Sequence, residues 1–213
     1  MDNKKLRILN LYCGLGGNRK LWKGDFEITA IEYKQEIADI YKDFFPKDKV
    51  IVADAHQYLL DHYKEYDFIW SSPPCPTHSD IRRCGVHAGQ YEALYPDMAL
   101  YQEIILLTHF NKCNWVVENV KPYYKPLIEG KLLQRHLFWS NFLINDFDKK
   151  DTKIHPISGK DGINGNSIIY DFNLNKYKAK DKRKLLRNLV NPELGLHILE
   201  CALGLNKQKT LGI

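Results

Sequence analysis

Apolar residues in this chain come as short runs that alternate with segments of helical spacing. "RILNLY" (7–12) is an apolar-rich strand running into a glycine turn, and "NRKLWKG" (18–24) suits a short helix. "EITAIEY" (27–33) predicts a second strand. "KQEIADIYKDFF" (34–45) predicts a helix that stops before Pro46. "KVIVAD" (49–54) is a β-branched strand, and "YDFIWSS" (66–72) a fourth, followed by a polar loop to about Tyr95. "PDMALYQEIILLTHF" (96–110) places Pro at a helix start and carries an apolar face. "NWVVENV" (114–120) and "HLFWSNF" (136–142) predict a fifth and a sixth strand. From about Asn145 to Lys184 the chain turns polar and irregular, with one short strand in "SIIYDF", before a closing helix in "NPELGLHILECALGL" (191–205).

Strand and helix alternating at this spacing imply parallel βαβ units in an α/β layer structure. Such sheets bind ligands at the carboxyl ends of their strands. Gly14, Glu32, Asp54, Cys75 and Glu118 sit at those ends, where a core has no need of them. The length of 213 residues suits one domain. A net charge of +5 is compatible with a polyanionic partner, and "KYKAKDKRKLLR" concentrates the excess late in the chain. That run reads either as a solvated face or as a phosphate-contacting one. The five cysteines are scattered, and no stretch reaches the roughly 18 apolar residues of a membrane span. The N-terminal apolar run is short and ends in glycines, unlike a secretory leader. The expectation is an intracellular chain with reduced thiols and no membrane partner.

"LYCGLGG" follows a strand with G-x-G-G, and Arg19 stands where a dinucleotide fingerprint needs its third glycine. Missing side chains there would let a ligand approach the backbone. Glu32, ending the second strand, is placed for ribose hydroxyls, so loop and acid together favour an adenosine-containing ligand. Cys75, in "SSPPCP", has three readings: a buried thiol, a metal ligand or a nucleophile. Cys75, His78, Cys84 and His87 form two C-x-x-H pairs, but only five residues separate them, short for a zinc finger. A thiolate attacks well when its proton leaves with the attack. Glu118 reads either as a carboxyl with a raised pKa in a desolvated cleft or as a satisfied Glu-Asn turn.

In order along the chain, these segments resemble the motifs of the cytosine-C5 DNA methyltransferases, which use S-adenosylmethionine and release S-adenosylhomocysteine. "LYCGLGG", "IEY", "ADAHQY", "SSPPCPTHS", "WVVENV", "QRHLFWSNF" and "RNLVNPELGLHIL" carry the resemblance, over about Leu6–Asn145 and Leu185–Cys201. It implies a Rossmann-like class I methyltransferase fold, a mostly parallel twisted sheet with helices on both faces. It implies a covalent bond from Cys75 to C6 of a flipped cytosine, and Glu118 at N3. It implies a cofactor site of Tyr12, Gly14, Gly16, Gly17, Glu32, Tyr33, Asp54, Ala55, Pro74, Asn188 and Val190. The loop after Cys75 would close over the base, with Ser79, Arg82 and Arg83 at the nucleic acid. The implied partner is double-stranded DNA in a bacterial or phage-infected cytoplasm, with RNA as the alternative.

Three departures qualify the resemblance. The family's Arg-x-Arg before the sixth strand reads Gln134-Arg135-His136, so Arg135 or His136 would face the base. The family's Gly-Asn pair reads Arg187-Asn188. Residues 1–213 would form one catalytic domain with only a reduced reader, 146–184, before a C-terminal segment, 185–213, that returns to the cofactor site. So short a reader offers few base contacts, which leaves short specificity or a protein partner for sequence reading. An amino-methyltransferase also carries "SPP" but follows it with an aromatic ring, where this chain has Cys75. A catalytically weak binding subunit is the remaining alternative.

Overall fold

The computed structural model describes residues 5–147 and 170–205. Among these residues, seven strands form one sheet: β1 (Leu6–Leu11), β2 (Phe26–Glu32), β3 (Lys49–Val52), β4 (Phe68–Ser71), β5 (Asn114–Val120), β6 (Lys131–Leu133) and β7 (His136–Ser140). Their order is β3-β2-β1-β4-β5-β7-β6. The first five strands run parallel, and β7 turns antiparallel against β5 with β6 at the edge. The helices are α1 (Gln35–Phe44), α2 (Ala55–His62), α3 (Asp80–His87), α4 (Ala99–Phe110), α5 (Lys182–Arg187) and α6 (Pro192–Ala202).

The central strands are apolar on both sides because both sides are covered. Ile8, Phe68, Trp70, Val116 and Phe138 pack with Trp22 and with Leu194 and Ile198 of α6. Their neighbours Leu9, Ile69, Val117 and Leu137 face the other way, onto Leu59 of α2 and Leu100, Ile104 and Leu107 of α4. The order of strands reverses beside β1, where β2 lies on one side and β4 on the other. A doubly wound sheet opens its ligand crevice at such a point.

The C-terminal segment lies on the first turn. Trp22 Nε1 donates to the Gly195 carbonyl at 3.0 Å. A Cβ at Gly195 would come within 2.4 Å of the Asn18 carbonyl oxygen, so α6 meets that backbone directly. Asn191 caps α6 through the amides of Glu193 and Leu194.

Four expectations need correction. Residues 18–24 form successive turns rather than a helix, with Arg19 N on the Gly16 carbonyl and Trp22 N on that of Arg19. The polar loop after Cys75 contains α3, which Ser79 starts by accepting from the Arg82 amide. The strand expected over 49–54 ends at Val52, and Asp54 instead caps α2, accepting from Gln57 N at 3.0 Å. The strand expected in "SIIYDF" begins outside the described residues. Its described end is not strand, and Tyr170 and Phe172 are buried against Leu15 and Leu186.

Candidate active site

Ser71 ends β4 and Ser72 follows it, and in this extended backbone their side chains point to opposite faces of the sheet. Ser72 Oγ accepts from Trp70 Nε1 at 2.9 Å and donates to Glu118 Oε2 at 2.8 Å. Asn119, next to Glu118, donates to the Pro73 carbonyl at 3.0 Å and is itself buried. The Glu-Asn pair of β5 therefore holds both the serine and the proline turn that present Cys75. After Cys75 the chain folds back at once, with the amides of His78 and Ser79 on the Cys75 carbonyl.

Burial, with little to offset it, pushes the Glu118 carboxyl up to about 7. The Ser72 hydroxyl and the Arg135 charge pull the other way. Burial also raises the Cys75 thiol, and Glu118 adds to this, while Arg135 and Arg187 favour the thiolate. On balance the side chain is held as the thiol.

Of the two candidates beside β7, His136 lies at Glu118, its Nε2 3.6 Å from Oε1, beyond hydrogen-bond range. Burial and Arg135 push its imidazole down to about 3, so it is neutral. Its Nδ1 is buried without a partner among the described residues. Arg135 instead donates to the carbonyls of Arg187 and Leu189, each at 3.0 Å, and tethers the C-terminal segment. His78 cannot turn toward a metal with Cys75, because its nitrogens face the Tyr124 hydroxyl at 2.5 Å and the Asp97 carbonyl at 3.0 Å.

The glycine turn divides into two roles. Gly14 has φ +52°, and a Cβ there would meet nothing nearer than the Tyr12 carbonyl at 4.0 Å. That face is open, as ligand approach requires. Gly16 and Gly17 correct the expectation of a uniformly open loop. A Cβ on Gly16 would strike Phe45 at 2.4 Å, and one on Gly17 the Val190 carbonyl at 2.5 Å. Their missing side chains serve close packing.

Glu32 accepts from the Gly14 amide through Oε2 and from the Lys34 amide through Oε1, each at 3.1 Å. Each oxygen keeps a further lone pair for a hydroxyl. Tyr33 is 73% exposed, and Asp54 and Pro74 are exposed on the same rim of strand ends. Ala55, the first residue of α2, is buried, and Asn188 is exposed at the end of α5. The open Gly14 face beside the Glu32 carboxyl and the Tyr33 ring fits a nucleoside with a diol.

Ser79, Arg82 and Arg83 are engaged within the chain. Ser79 caps α3. Arg82 stacks over Tyr91 and donates to the Glu92 carbonyl, and Arg83 pairs with Asp80 at 2.9 Å.

A family model for the C-5 cytosine-specific DNA methylases matches residues 6–129, more than half of the 213-residue chain. The chain belongs to this family. The family transfers methyl groups from S-adenosylmethionine to C5 of cytosine. Among solved structures, a hypothetical protein of Thermus thermophilus is similar at 17% identity and TM-score 0.44, covering 64% of this chain and 74% of its own. A SAM-dependent methyltransferase from Agrobacterium tumefaciens is similar at 12% identity and TM-score 0.39, covering 57% and 41%. A mutant of Spodoptera frugiperda DNMT2 is similar at 26% identity and TM-score 0.37, over 55% of this chain and 36% of that one. No curated protein matches. No described helix is long and apolar enough to cross a membrane.

Sequence reading missed Ser72 and Glu103. Glu103, on α4, is fully buried and faces three donors, Tyr12, Ser71 and His56. The signal was available: Glu103 falls on the helix face of Leu100, Ile104 and Leu107, where a lone carboxyl needs a reason.

Proposed function

We propose that this chain methylates C5 of cytosine in DNA through a covalent bond from Cys75 to C6 of a base turned out of the duplex. The observation that carries the reading is that Glu118 and Asn119 of β5 bond to Ser72 and to the Pro73 carbonyl, which sets a buried carboxyl beside the turn that presents Cys75. In this reading the Cys75 sulfur bonds to C6 as its proton leaves. The C5–C6 π electrons move to C5 while Glu118, protonated, hydrogen-bonds N3 and stabilises the ring's new charge. S-adenosylmethionine, when bound, supplies an electrophilic methyl group. C5 would bond to that methyl as the methyl–sulfur bond breaks; a base then takes the C5 proton, its electron pair restores the C5–C6 double bond, and the C6–sulfur bond breaks to release Cys75 as thiolate. His136, neutral, offers a ring N–H or lone pair beside Glu118. Tyr12, Gly14, Glu32, Tyr33, Asp54 and Ala55 hold the cofactor, with Gly16, Gly17 and the segment from Asn188 to Val190 shaping the turn behind it.

The nucleic acid is held chiefly by its backbone. Lys178, Lys180, Lys182, Arg183, Lys184 and Arg187 have no ion-pair partner among the described residues. Arg187 is near enough for its charge to favour the Cys75 thiolate. Phosphates neutralise such an unpaired run without reading sequence, which suits the short 146–184 region. Labelled methyl transfer tests the proposal. Incorporation into cytosine of duplex DNA, absent in Cys75→Ser, is expected. Incorporation into tRNA with none into duplex DNA would contradict the choice of polymer. Charge reversal at Lys178, Lys180 and Lys184 should lower the salt dependence of duplex binding by about three released ions.

A further inference from the structure

We infer that Glu103 is a positioning residue for the cofactor pocket, fixing Tyr12, Ser71 and His56 in one arrangement across three strand-end segments. The inference rests on the reading that S-adenosylmethionine lies against Tyr12 and Asp54.

Tyr12 opens the glycine turn with φ 54°, a left-handed backbone that few side chains adopt. Its hydroxyl donates to Glu103 Oε1 at 2.6 Å, which anchors the ring from its far end. Ser71, the last residue of β4, donates to Oε2 at 2.5 Å. His56 lies two residues after Asp54, in the first turn of α2, and its Nδ1 stands 3.0 Å from Oε1. One carboxyl with no solvent exposure thus joins the ends of β1 and β4 to the start of α2. A carboxylate is suited to this task, since it accepts on both oxygens and donates on neither. Gln in its place would aim an amide N–H at one of these groups, which must then turn from donor to acceptor and give up its present arrangement.

The rim of the pocket hangs from these donors. Asp54 and Ala55 precede His56, Gly14 follows Tyr12 by two residues, and Ser71 pairs with Leu11 at the end of β1. His56 also records the contact. Its imidazole is raised from the ordinary value by the Glu103 bond first, with Glu103, Asp54 and Asp97 charges adding to it.

The test uses the full chain with Glu103→Gln, Tyr12→Phe and both together. S-adenosylhomocysteine binding is measured by calorimetry, duplex DNA binding by anisotropy, folding by thermal melting, and His56 titration by NMR of the ligand-free protein. Glu103→Gln is expected to weaken S-adenosylhomocysteine about tenfold and Tyr12→Phe about threefold. The double variant should be no weaker than Glu103→Gln alone. Duplex affinity should stay within about twofold, KM for S-adenosylmethionine should rise more than kcat falls, and His56 should drop toward its ordinary value. Wild-type affinity in Glu103→Gln, or fully additive effects, would overturn the inference. So would equal losses of cofactor and duplex binding. If Glu103→Gln does not fold, Tyr12→Phe and His56→Asn carry the test, and unchanged S-adenosylhomocysteine affinity in both overturns it. A wild-type chain that fails to bind S-adenosylhomocysteine defeats the underlying cofactor reading itself, a result distinct from an unaffected Glu103→Gln.

Discussion

Glu103 and Glu118 are both buried carboxyls held by consecutive serines of one strand end, yet their surroundings differ. Glu103, on the α2–α4 side of the sheet, faces three donors. Glu118, on the α6 side, receives one hydroxyl and has a neutral His136 at 3.6 Å. The contrast teaches that burial alone does not define a carboxyl's task. Three donors make it a fixed acceptor that organises its neighbours. One donor leaves it raised to about 7, able to exchange a proton with a ring nitrogen at neutral pH.

The largest effect should come from removing the exchangeable proton. Glu118→Gln is expected to slow methyl transfer by about 10²- to 10⁴-fold while S-adenosylhomocysteine affinity changes less than about twofold. Comparable losses of both would erase the contrast between the two carboxyls. The same variant sharpens it through pH. A carboxyl raised in the folded state contributes stability at low pH that is lost as pH rises through its folded value. Between pH 5 and 8, Glu118→Gln should therefore gain on wild type by up to about 3 kcal/mol in urea unfolding. A constant difference across that range would place Glu118 in the ordinary carboxyl range.

Ser72→Ala removes the one hydroxyl donor to Glu118 and the acceptor of Trp70 Nε1. The expected cost is about 1–2 kcal/mol in chemical denaturation. Because that hydroxyl lowers the Glu118 pKa, its loss should move the alkaline limb of the pH–rate profile upward. A downward move would contradict the assignment of the acid. The smallest effect is expected on the other side of the strand. Ser71→Ala leaves Glu103 two donors and should change the rate of methyl transfer less than about threefold, visible as a small rise in KM.

The parallel strands were legible because a buried sheet writes itself as apolar runs, and strand ends then pick out Cys75 and Glu118. β6 was not, since Lys131–Leu133 is too short to carry a period. Helices α2 and α3 were missed because their exposed faces are polar and their caps, Asp54 and Ser79, look like loop residues. In the glycine turn, Gly14 has the open face that the loop reading expects. Gly16 and Gly17 answer to Phe45 and Val190, which sequence spacing cannot bring together. The Arg135 and His136 ambiguity likewise depended on tertiary contacts. Arg135 follows a left-handed Gln134 and reaches carbonyls more than fifty residues away, which leaves His136 facing Glu118.

The central claim is the bond from Cys75 to the base, and trapping it tests that claim most directly. The full chain is incubated with S-adenosylmethionine and a duplex carrying 5-fluorocytosine, digested, and its peptides are weighed. Fluorine at C5 cannot leave as a proton does, so the account predicts a stable adduct of methylated fluorocytosine on the peptide containing Cys75. An adduct on another residue, or none from a preparation that methylates the unsubstituted duplex, would contradict it.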